Sequence, residues 1–191
     1  MEITDKFLRT DNRACDEGYQ WWLDNEKPTD VISTAKKLNS EDHNNWANWL
    51  IVRFMTHEQK VQYAIFAAEQ VIDIFEKKYP NDDRPRKAIE AAKNYLKDKS
   101  KKKADDAYAA YADAYAAHAA YAAAYAADAY AAYAAYAAAA AAAYAAYAAD
   151  AAYAAAAAYA AAYAAYAAAA AAAVKKEMQN KILEYGVGLL K

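Results

Sequence analysis

From Asp106 onward the chain is written almost entirely in two residues, and it repeats. The first unit, Asp106–Ala127, reads DAYAAYADAYAAHAAYAAAYAA, and the second, Asp128–Ala149, reads DAYAAYAAYAAAAAAAYAAYAA. A third begins at Asp150, so that Asp106, Asp128 and Asp150 stand 22 residues apart. Self-similarity at such a period marks repeated structural units. Alanine is the strongest helix former because it has no side-chain entropy to lose. A helical tract is the only regular structure this composition favours. At about 100° per residue, Tyr108, Tyr111, Tyr115, His118, Tyr121 and Tyr125 fall within an arc of roughly 140°. Each unit therefore has a phenolic face and a bare alanine face.

Two arrangements satisfy this pattern. In the first, each Asp caps a helix of about 20 residues, roughly 30 Å long, and three such helices fold back on one another. In the second, one helix runs roughly 105 Å, with the three Asp on one face and an eleven-residue subperiod favouring a right-handed supercoil. The folded-back arrangement is preferred, because it lets alanine faces meet at close interaxial distance. No Gly or Pro marks the turns it requires.

The remainder reads as ordinary helical protein. Three Gly and three Pro in 191 residues are too few turn formers for a sheet protein with many hairpins. Helices are expected over Asn12–Asn25, from Thr29 or Asp30 to Lys37, after Ser40 with Trp46, Trp49, Leu50 and Phe54 at helical spacing, and from His57 to about Lys78. Thr56 and Gln59 fit a capping box, and Val61, Ile65, Ala68, Ile72 and Phe75 form the buried stripe. Tyr79-Pro80 ends that helix. Asp82 or Asp83 is expected to cap the next helix, with Pro85 in its first turn and Ala88, Ile89, Ala92, Tyr95 and Leu96 facing the core. Five lysines between Lys97 and Lys103 read as a solvated helix end or linker. The expected organisation is an all-α helical bundle or short α-solenoid: residues 1–103, the Ala/Tyr array at 104–173, and a closing helix at 174–191, forming one continuous unit.

Charge and chemistry narrow the function. Residues 104–173 carry five Asp and no Lys or Arg, a poor surface for a phosphate backbone. Residues 129–149 and 151–173 contain only Ala and Tyr, long enough to span a bilayer. Yet they hold no Leu, Ile, Val or Phe, and their tyrosines do not band at two interfaces. The same tract has no Thr, unlike alanine-rich ice-binding helices. Neither nucleic acid nor membrane is an expected partner. With Cys15 the lone cysteine, no internal disulfide forms, and a cytoplasmic location is expected. His43, His57 and His118 show no metal-binding spacing, and no phosphate loop or nucleophile elbow occurs. No metal, cofactor or catalytic residue is expected. Tyrosine supplies rigid amphipathic contact area, so Tyr108, Tyr111, Tyr115, His118, Tyr130 and Tyr133 are the candidate partner-binding residues. The cluster Asp82, Asp83, Arg84 and Arg86 reads either as a cap with an Asp–Arg pair or as a grip for carboxylate or phosphate.

Two stretches, ACDEGYQWW (Ala14–Trp22) and AEQVIDIFEKKYPNDDRPRKAIEAAKNYL (Ala68–Leu96), resemble a bacterial family of immunity proteins of the immunity-five-like type. A long alanine-rich tract followed by a short closing helix, Val174–Leu190, is similar as well. The resemblance implies an all-α fold and a role beside polymorphic toxins, as a non-enzymatic inhibitor that binds and blocks a toxin or effector. Its motifs carry over onto Cys15, Glu17, Asp83, Arg84, Pro85 and Arg86. Two other readings remain open. A small-ligand protein, such as a sequestering agent for a nucleotide signal in phage defence or counter-defence, would stack bases on Tyr and grip phosphate with Arg84 or Arg86. A helical scaffold would oligomerise through its Ala or Tyr faces.

Overall fold

The computed structural model describes residues 2–110 and 172–191. The fold is all-α, and among the described residues no strand forms, although Glu2 and Asp30 make an isolated antiparallel bridge. A π-helical turn, Lys6–Asp11, precedes α1 (Asp16–Asp24), α2 (Val31–Ser40), α3 (Asn44–Phe54), α4 (His57–Glu69), α5 (Ile72–Lys78) and α6 (Arg84–Lys97). A seventh helix, α7, covers 101–110, where the first described stretch stops. The C-terminal helix, α8 (Ala172–Leu189), closes the body.

The first helix starts later than its sequence suggests. Arg13 sits in the left-handed region at φ 49°, which a non-glycine residue adopts only at some cost, and the chain breaks there. The Asn12 side chain donates to Phe7 O at 3.0 Å, closing the π turn. Cys15 then caps α1, its Sγ accepting from Gly18 N at 3.4 Å. Ser40 precedes the third helix as expected; it also ends α2, which runs past Lys37, with its hydroxyl bonded to Lys37 O, and His43 stands at the start of α3. Of Thr29 and Asp30, the two expected starts, it is Asp30 that caps α2, accepting from Ser33 N at 2.7 Å.

The expected long helix from His57 is two helices. Gln70 N and Val71 N bond to carbonyls three residues back, those of Ala67 and Ala68, so the last turn tightens and α4 stops. Val71 and Ile72, adjacent in sequence, are both 1% exposed. The stripe itself holds: Val61, Ile65, Ala68, Ile72 and Phe75 are all buried.

Helix α2 packs on α3, α4 on α6, and α8 on both α3 and α4. The closing helix therefore lies against the N-terminal part. Its Ile182, Leu183 and Val187 are buried, and Tyr185 stacks on Phe66 at 4.0 Å between centroids. Polar bonds hold its two ends. Lys176 pairs with Asp42, Asn39 donates to Asn180 at 2.7 Å, and the Gln59 amide donates to the Leu189 carbonyl. At the start of the alanine tract, Ala107 is fully buried while Tyr108 is 45% exposed. Ala109, the next residue, is exposed as well.

Candidate functional site

The charged cluster at the start of α6 is a structural joint. Both forks of Arg84 close on Asp82, with Nε at 2.8 Å and Nη2 at 2.6 Å. Asp82 also accepts from Arg84 N at 3.2 Å, doing the capping work in place of Asp83, the N-cap by position, whose side chain makes no capping bond. Asp83 pairs instead with Lys87 at 2.9 Å. Arg86 forks onto Glu76, at 2.7 and 2.6 Å, and reaches Asp73 at 3.4 Å. Pro85 is buried in the first turn. The Arg86 hydrogen bond holds the Glu76 carboxyl below its ordinary range, against a desolvation effect of opposite sign. Arg86 binds α5 to α6 and Arg84 fixes the loop before α6, both with the forked geometry that arginine makes to carboxylates. Both guanidinium forks face carboxylates, which disfavours phosphate there.

A second site forms where the chain's four tryptophans meet. Trp21 and Trp22 on α1 and Trp46 and Trp49 on α3 line a cavity of about 260 Å³. Ile3, Leu8, Leu38 and Leu50 supply its aliphatic wall, while Ala14, Cys15, Gly18, Thr34 and Arg13 complete it. Gly18 is a close-approach position, since a Cβ there would lie 3.2 Å from Cys15 Sγ and 3.8 Å from the Trp46 ring.

The polar atoms of this wall are mostly engaged. Trp21 Nε1 donates to Glu41 at 2.7 Å and Trp22 Nε1 to Pro28 O at 3.0 Å. The Thr34 hydroxyl donates to Asp30 O. A cation or imidazole stands by every indole: Lys37 over Trp21 at 5.8 Å, Lys27 over Trp22 at 6.0 Å, Arg53 over Trp49 at 3.8 Å, and His43 stacked on Trp46 at 4.2 Å. Arg9, nearby in sequence, is held by Asp16 at 2.7 Å and lies over the Tyr19 ring.

Cys15 is thus brought to the tryptophan cavity, whereas Glu17 projects to solvent on α1. Asp83, Arg84, Pro85 and Arg86 gather at the α5–α6 joint. Tyr108 is exposed on α7; Tyr111, Tyr115, His118, Tyr130 and Tyr133 lie outside the described residues. The cavity was not foreseen from the sequence. Its signal was available, since all four tryptophans fall within Trp21–Trp49. Only the placing of α1 and α3 around one cavity shows that they share its wall.

Residues 50–187 match the family described as Imm-5 like putative immunity protein. The chain belongs to that family. No match was found among curated proteins or solved structures. Within the Imm-5 like match lie the α5–α6 joint, the alanine tract and most of α8. The stretch Ala14–Trp22 precedes it, as does nearly all of the tryptophan cavity. Among the described residues, no group of three or more His, Cys, Asp or Glu is placed to hold a metal ion. Nor is any helix there long and apolar enough to cross a membrane.

Proposed function

We propose that this chain is a non-enzymatic immunity protein that binds a toxin protein in the cytoplasm and blocks it. The observation that carries the reading is the Imm-5 like match over residues 50–187. The occupied forks of Arg84 and Arg86 support a protein partner over a nucleotide, because a phosphate would have to displace a carboxylate from each. The exposed phenol of Tyr108 fits a binding surface built from tyrosine, and the partner-facing surface is proposed to continue through Tyr111, Tyr115, His118, Tyr130 and Tyr133.

The test is co-expression of the full chain with a toxin encoded beside it. Rescue of growth together with a co-purifying complex is the expected result. Absence of both, with the chain folded and abundant, would overturn the reading.

A further inference from the structure

We propose that the tryptophan cavity is a binding site for a small aryl carboxylate: a one- or two-ring apolar body held among the indoles, with its anionic group at Arg13. Size sets the first limit. An apolar cavity of about 150 Å³ accepts benzene, while drug-sized ligands occupy pockets of about 300 Å³ and above. At about 260 Å³, this one matches a ring or a fused pair.

Charge sets the second limit. Indole faces attract cations, but Lys27, Lys37 and Arg53 already stand over three of the four rings. A cationic ligand would meet like charge. The nearby acids are engaged elsewhere, Glu41 with Trp21 and Asp16 with Arg9. Arg13, an exposed residue, is the one charged residue in the lining, and among the described residues it makes no ion pair. A guanidinium left available at the edge of an apolar cavity is suited to a carboxylate, which it can grip with two bonds. The site lies almost wholly before residue 50, where the family match begins.

The chain carries its own reporter. Its four tryptophans all line the cavity, so intrinsic indole emission of the folded chain reports on this site. Titration of the full chain with phenylacetate is expected to give a saturable emission change with a dissociation constant of roughly 0.1–1 mM. The charge-reversed probe phenethylammonium is expected to bind about tenfold more weakly. Arg13→Asn removes the charge with a residue that tolerates the left-handed backbone. It is expected to weaken phenylacetate about tenfold while leaving the thermal melt unchanged. Ala14→Leu, which adds bulk at the cavity wall, is expected to abolish binding. No saturable response to phenylacetate, equal response to both probes, or an unaffected Arg13→Asn protein would each overturn the proposal. If Ala14→Leu does not fold, the probe pair and Arg13→Asn still decide it.

Discussion

Two glycines on α8, two residues apart, do opposite work. A Cβ at Gly186 would lie 2.5 Å from Tyr63 Cε2 and 2.6 Å from Ile51 Cδ1. Both neighbours are fully buried, so neither has room to move. Gly186→Ala should destabilise the protein by about 1–3 kcal/mol through overpacking. At Gly188 a Cβ meets nothing within 4 Å, and Gly188→Ala should stabilise by about 0.5–1 kcal/mol through helix propensity. Urea denaturation of the pair checks both signs, and equal effects would contradict the close approach of α8 to α4. Tyr63 is itself constrained. Its hydroxyl donates to Asn48, whose amide donates to Asn44 O at 2.8 Å, and burial pushes the phenol well above its ordinary pKa. Tyr63→Phe leaves a buried amide oxygen without its donor and should cost about 1–3 kcal/mol in the same assay.

Element ends show how local signals and tertiary contacts divide the work. The capping box of α4 forms as its sequence pattern requires, with Thr56 N bonded to Gln59 Oε1 at 2.8 Å and Gln59 N to Thr56 Oγ1 at 3.3 Å. The Gln59 amide also reaches the Leu189 carbonyl, so one side chain caps the start of α4 and the end of α8. Thr56→Ala should cost about 1 kcal/mol. Gln59→Ala should cost more, since it frees two helix ends, and chemical denaturation distinguishes them. Acid weakens a related set of contacts. Lys176 and Arg86 hold the carboxyls of Asp42 and Glu76 below their ordinary values, and the Ser33 bonds do the same for Asp30. A carboxylate with a lowered folded pKa stabilises fully above its unfolded value. That contribution disappears as pH falls through the folded value. Thermal melts should therefore be flat between about pH 5 and about pH 9 and fall progressively below about pH 4. Lys176→Ala should shrink the acid-dependent part.

On the scale of the molecule, α8 joins the chain's end to its beginning. Its Ile182 and Leu183 are buried, and it packs on both α3 and α4. Ile182→Ala should cost about 2–5 kcal/mol through the cavity it leaves. Because α8 covers Tyr63 and Phe66, the loss should appear as one cooperative transition by far-ultraviolet circular dichroism and by tryptophan emission. Two separated transitions would mean that the closing helix and the tryptophan-bearing helices fold independently.

The all-α fold, the caps at Asp30 and Thr56, and the buried stripe of α4 and α5 were legible in the sequence, because helix propensity, capping and 3.6-residue periodicity act between residues a few positions apart. The same local reasoning ran α1 back to Asn12 and α4 on to Lys78. It could not see Arg13 turning left-handed, nor Val71 and Ile72 both drawn into the core. The Asp82–Arg84 pair, two residues apart, belongs to the same local set, but tertiary structure alone decided that Glu76 would take Arg86 and that four indoles would line one cavity. Those outcomes depend on which helix faces meet, and burial against a distant neighbour overrides preferences that adjacent residues set.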